Sequence, residues 1–187
     1  MSAEKADVVD LLTAQHRQIE DLFGKLRAGP ADKQNLFEEL VRLLAVHETA
    51  EEEVVHPAAA RAQFGVKPMV ENRLAEEKEA KHDLAELYDL GVDHPEFDAK
   101  LSAFAGAVLE HAEHEEKEEF AVLRQSFSGT QLAHMANTVR GAEAMAPTRP
   151  HPHAGESRGA NLVAGPPLAV FDRARDALRN ARQLHTP

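Results

Sequence analysis

Residues 40–58 read LVRLLAVHETAEEEVVHPA and residues 104–123 read FAGAVLEHAEHEEKEEFAVL. Each holds the pattern HxxxEE, at His47–Glu52 and again 64 residues later at His111–Glu116. Residues four apart share one face of a helix, so His47 with Glu51, and His111 with Glu115, can each converge on one point. At about 100° per residue, His47 and Glu51 fall inside the stripe of Leu40, Leu44, Val54 and Ala58. His111 and Glu115 fall within the stripe of Phe104, Val108 and Val122. Two imidazoles and two carboxylates aimed at a core are costly unless something neutralises them. A di-cation does that. The competing reading is a solvated acidic helix with incidental histidines, and two inward-phased copies argue against it.

Working outward, His16 precedes His47 by 31 residues and sits at the edge of an apolar face, one turn from Leu12 and near Ile19. The corresponding place before His111 has two candidates, Glu77 and His82. Glu77 shares a face with Val70, Leu84 and Tyr88, whereas His82 lies well over 100° from that stripe, so phase puts Glu77 inward and His82 outward. Glu77 also reads as a surface residue paired with Lys81 one turn on. His56, just before Pro57, stands about 140° round from Glu51, a place for a supporting residue or one facing solvent. Glu119, four after Glu115, is inward enough to support the ligands or to be an extra one. His114 reads as surface. Tyr88 reads as core or rim, with redox service as the alternative. His94, His134 and His185 have no evident partners, and His151 and His153 lie in a proline-rich stretch.

The same periodicity runs along most of the 187 residues. Amphipathic helical patterns cover 6–27, 33–63, Pro68 to Leu90 and 96–127, with GPAD at 29–32 and Gly91–Pro95 as breaks and Asp32 as an N-cap. Four such helices with short connections predict an all-α, antiparallel up-down-up-down four-helix bundle over residues 1–128. Residues 129–187 read as an extension: a weaker helix at 130–145, a stretch with five prolines, and a last amphipathic helix. Net charge is −11; residues 146–187 carry six Arg against three acids, a surplus of +3 that leaves −14 on the rest. That complementarity predicts packing of the extension on the bundle or on a partner chain.

Composition narrows the chemistry. The acidic balance supplies no basic footprint for nucleic acid, and 5% aromatics with no Trp leave little to stack on bases. Without cysteine there is no thiolate site or Cys nucleophile. The 11 histidines leave imidazole and carboxylate as ligands, a set suited to iron, manganese or zinc. Neither a signal-peptide pattern nor a membrane-length apolar run is present, so a cytoplasmic location with no membrane partner is expected.

LTAQHRQIEDLF around His16, HETAEEEVVHP around His47, EEKEAKHDLAEL around Glu77 and EHAEHEEKEEFAVL around His111 together resemble the hemerythrin-like, or HHE cation-binding, proteins, over roughly residues 6–125. The APTRPHPH stretch looks like extensions on actinobacterial members. The resemblance implies two oxo-bridged iron ions per chain. It places His16, His47, Glu51, His111 and Glu115 as ligands, with Glu51 and Glu115 bridging. On the third helix it puts Glu77 where the family usually has His; a shifted alignment uses His82 instead, with Lys78 in the earlier place. Animal members, by the same resemblance, carry dioxygen on sites richer in His. Three His and three Glu are harder and favour the ferric state. The expectation is therefore redox chemistry on hydrogen peroxide, nitric oxide or dioxygen, peroxidase-type or nitric-oxide-detoxifying, with a separate electron donor. A dioxygen or nitric oxide carrier or sensor, or an iron storage or sensing module, is the alternative. The chain is expected as monomer or homodimer.

Overall fold

The computed structural model describes residues 6–62 and 65–145, and every regular element among them is a helix. They are α1 (Val8–Arg27), α2 (Lys33–Ala50), α3 (His56–Ala62), α4 (Lys67–Leu90), α5 (Phe97–His114), α6 (Phe120–Ser126) and α7 (Gly129–Met145). Helices α2 and α3 are joined without a break by a π-helical turn, Glu51–Val55, and α5 and α6 by another, Glu115–Glu119. The result is an antiparallel four-helix bundle, α1, α2–α3, α4 and α5–α6, with α7 packed on α1, α2 and α6. The expectations for the proline-rich stretch and the last helix fall outside the described residues.

Local signals account for the ends. Asp7 and Asp10 form a reciprocal capping box at the start of α1, and Arg124 binds both, tying α1 to α6. Gly29 (φ 67°) and Gly91 (φ 80°) take the positive φ needed just beyond α1 and α4. Asp32 precedes α2, but its side chain makes no capping bond, a correction to the sequence reading. No described helix is long and apolar enough to cross a membrane.

The core is divided. One apolar cluster holds Ile19, Phe23, Leu26, Phe37, Leu44, Leu84, Phe97 and Phe104. The other holds Val8, Leu12, Val55, Val70, Phe120 and Leu123, closed by Leu132, Ala136 and Val139 of α7. Between them lies a layer of buried polar side chains, including His16, His47, Glu51, Glu77, Glu115 and Glu119. Tyr88 belongs to the first cluster, its ring 6.3 Å from that of Phe37. It sits eleven residues, about 16 Å of helix, beyond Glu77. That distance removes it from the candidate site.

Phe97 is fully buried and meets Phe37 edge-on at 5.1 Å. Phe97→Ala is expected to cost about 3–5 kcal/mol in urea unfolding. Metal content should be unchanged, because the ring lies on the far side of that cluster. A loss confined to metal content would contradict the division of the core.

Candidate metal centre

The polar layer is built where four helices cross at mid-height. Helix α1 supplies His16, α2 His47, α4 Glu77 and α5 His111; Glu51 and Glu115 open the two π turns. The His16 Nε2 stands 3.4 Å from Glu115 and 3.9 Å from Glu51. His47 Nε2 is 3.2 Å from Glu51, and His111 Nε2 is 3.3 Å from Glu115. These atoms resolve into two groups suited to a cation: His16, His47, Glu51 and Glu115; and Glu51, Glu77, His111 and Glu115. Both contain Glu51 and Glu115. Two positions sharing two carboxylates are what a bridged pair of ions requires.

Each imidazole is gripped from behind. Nδ1 of His16 lies 2.9 Å from Glu116, that of His111 2.8 Å from Glu76, and that of His47 2.8 Å from the Gln15 Oε1. A ring whose Nδ1–H donates outward presents the bare Nε2 inward, the arrangement seen behind metal-ligating histidines. Arg17 and Arg73 in turn hold Glu116 and Glu76.

The fit to a cation rests on what the layer leaves unmet. Both carboxylate oxygens of Glu51 and of Glu115, and Nε2 of His16 and His111, are buried without a hydrogen-bond partner. Burial pushes the Glu51 carboxyl well above its usual range, and Glu115 and Glu77 add to it. Burial pushes Glu115 up as well, but His111 and His16 outweigh it and hold its carboxyl well down. Burial, then His16, drives the His47 imidazole well below its ordinary value. For His111 burial works downward, but Glu115 and Glu76 outweigh it and raise it to about 9. Orphaned oxygens and ring nitrogens around one point, at this cost, fit a divalent or trivalent metal cation.

Of the two places the sequence left for His56, the structure shows the supporting one. His56 is 2% exposed, not facing solvent, with Nδ1 2.9 Å from Glu119 and Nε2 hydrogen-bonded to Glu77. The π turn absorbs one residue, so His56 lies about 40° round from Glu51, where an unbroken α-helix gives about 140°. With Glu115 and Glu119 it forms a third group of possible ligands. Burial lowers the His56 imidazole, yet its bonds to Glu119 and Glu77 win and carry it to about 10.

Glu77 is 1% exposed and inward, and Lys81 reaches it at 3.4 Å while also binding Glu52 at 2.6 Å. His82 does not join the layer: its side chain is 73% exposed, beside Asp83 and Glu86. Helix α4 has no π turn to rotate it inward. His114 is half-exposed near Glu76, and His94 accepts the Glu96 N–H in a loop. Sequence reasoning missed Glu48, buried beside His47, whose carboxyl is raised to about 8 by burial and Glu77 against Lys81. It also missed Gln15, Glu76 and Glu116. The second Glu of HxxxEE was the available signal: Glu52 holds Lys81 and Glu116 holds His16.

A cavity of about 310 Å³ leads from the surface between α4 and α5 to this layer. His16, His47, Glu48 and His111 form its floor, Ile19, Leu44 and Val108 its walls, and Glu79, Asp83 and Glu110 part of its rim.

Three comparisons with known proteins bear on the site. The family model "Hemerythrin HHE cation binding domain" matches residues 7–123. The chain is 27% identical over 139 residues to a protein named DNA nickase from Nostoc sp., covering 73% of this chain but 39% of that one. It is 24% identical over 182 residues to an uncharacterised hemerythrin-like protein of Schizosaccharomyces pombe, covering 95% and 89% respectively. A crystal structure of a hemerythrin HHE cation binding domain-containing protein from Mycobacterium kansasii superposes with TM-score 0.64 at 18% identity, covering 94% of this chain and 99% of that one.

His56→Leu leaves Glu77 and Glu119 buried without the ring between them. The metal-free protein is expected to lose about 3–5 kcal/mol at pH 6, read by urea unfolding. The His56 pKa rises on folding, so this contribution is complete below its ordinary 6.5 and disappears as pH climbs towards about 10. A deficit that stays constant between pH 6 and 10 would show that His56 is not the cation of this pair.

Proposed function

The chain belongs to the hemerythrin HHE cation-binding family, and on that premise we propose that it holds two iron ions per chain and uses them in redox chemistry on a small oxidant: hydrogen peroxide, nitric oxide or dioxygen. The observation that carries this is the sharing of Glu51 and Glu115 by two ligand groups. His16 and His47 complete one position, Glu77 and His111 the other. Iron there supplies electron exchange with the oxidant. The set of three imidazoles and three carboxylates is hard and anionic, and favours the ferric state, hence reaction over reversible carriage.

The rest follows from the chain's own side chains. Glu116, Gln15 and Glu76 orient the three rings so that bare nitrogens face the ions. The apolar walls of the cavity limit water near the centre, and Phe120, stacked at 5.7 Å on His16, covers that ring. Carboxylates at the rim repel anions, which suits neutral oxidants. Reduction of hydrogen peroxide to water consumes two electrons and two protons, so a separate donor is part of the proposal, as is a cytoplasmic location. We carry no DNA activity over from the nickase: it is spanned over 39% of its length, and a chain of net charge −11 offers phosphates little.

Metal analysis with an optical spectrum tests the reading. Two irons per chain are expected, with ferric bands in the near-ultraviolet. Glu51→Ala should lose both ions and Glu77→Ala one, because only the first residue serves both groups. One zinc, or no metal, in the wild type would sink the proposal. Stopped-flow mixing of reduced protein with dioxygen or peroxide separates the roles: irreversible oxidation with peroxide consumption supports the enzyme, and reversible dioxygen uptake makes the chain a carrier.

A further inference from the structure

We propose that helix α7 takes part in the metal centre: Glu143, acting through Gln15, is a positioning residue that fixes which nitrogen of His47 carries the proton. The inference rests on the two-iron reading only in taking His47 as a ligand.

The three gripped rings differ in what grips them. Glu116 and Glu76 are carboxylates, which when ionised accept and never donate, so each fixes an Nδ1–H on its histidine outright. Both sit on helices of the four-helix bundle or its π turns. His47 is gripped by an amide, and an amide can turn either end to a ring. Presenting its NH2 would make Nδ1 the acceptor and move the proton to Nε2, the nitrogen 3.2 Å from Glu51. A protonated Nε2 cannot bind a cation.

The next side chain decides the matter. Gln15 Nε2 donates to the Glu143 carboxylate, which leaves Oε1 as the end that accepts from His47. The hydrogen bonds therefore run one way, from His47 Nδ1–H to Gln15 and from Gln15 to Glu143. Gln15 is 3% exposed, so water has little room to replace either partner. Glu143 lies on α7, beyond the residues 7–123 matched by the family model. Arg140, bonded to the Ala6 carbonyl, and Leu132, Ala136 and Val139, buried in the second cluster, keep α7 docked where Glu143 meets Gln15.

The test reads the ring directly. Nitrogen-15 spectra of the metal-free protein should show His47 as a single Nδ1–H tautomer in the wild type. Glu143→Ala should give a mixture of tautomers, and so should Glu143→Gln, whose amide can turn either end to Gln15, whereas Glu143→Asp, which keeps an acceptor-only carboxylate, should restore the single form. Competition titration with ferrous ion should show affinity about tenfold weaker in Glu143→Ala, and near the wild-type value in Glu143→Asp. Gln15→Leu, which leaves the α7 side chains intact, should reproduce the mixture and the weakening. A single tautomer and unchanged affinity in both Glu143→Ala and Gln15→Leu would overturn the inference. If the wild type binds no iron, the two-iron reading fails, while the ring spectra still decide this one.

Discussion

The described helices are arranged around a layer of buried carboxylates that the protein's own cations offset only in part. Glu51, Glu77, Glu115 and Glu119 lie buried at the waist of the bundle, and the protein cations among them include His56, His111 and Lys81. Burying carboxylates is costly, and the cost rises when they face one another. The four helices must therefore be long enough to wall the layer with apolar residues above and below. They must also be close enough for one ion to touch three of them. The two apolar clusters, the ring-gripping carboxylates and the docked seventh helix follow from that need.

Much of this is legible in the sequence because periodicity carries it. The apolar stripes give four helices, and the phase of Glu77 against His82 gives the inward carboxylate on α4. What periodicity cannot carry is a change of helical pitch: the π turn at Glu51–Val55 moves His56 from outside to inside. Nor does it carry links between helices. Gln15, Glu76 and Glu116 act on rings 32, 35 and 100 residues away, and no spacing within one helix announces such pairs. Pro57 invites a break in the second helix, yet the chain runs on through it, and the matching turn at Glu115–Glu119 holds no proline. What the turns share is an inward His and Glu just before or at their start.

The two halves are alike in plan and unlike in detail. The residue that follows each π turn is His56 in one half and Phe120 in the other. His56 sits between two carboxylates, and Phe120 stacks on His16. The final residue of each HxxxEE shows the same divergence: Glu52 pairs with Lys81, Glu116 with His16 and Arg17. The near-repeat thus yields a centre whose two positions have different surroundings. One is backed by a phenyl ring, the other by an imidazole and an extra acid.

The π turns also bear on how such a chain can change. Each is a single surplus residue held within an otherwise regular helix. Straightening one into α-helix with every residue kept would turn each later side chain on that helix by roughly a quarter of a circle, whereas deleting the surplus residue would leave them in phase. His56 would swing from between Glu77 and Glu119 towards the outside, and Val55 or its neighbour would take its place. The pitch of this one turn is thus a switch between a charged and an apolar side chain at the same place beside Glu77 and Glu119. A relative of equal length here but with an unbroken α-helix is expected to differ in chemistry, even where every aligned residue is the same.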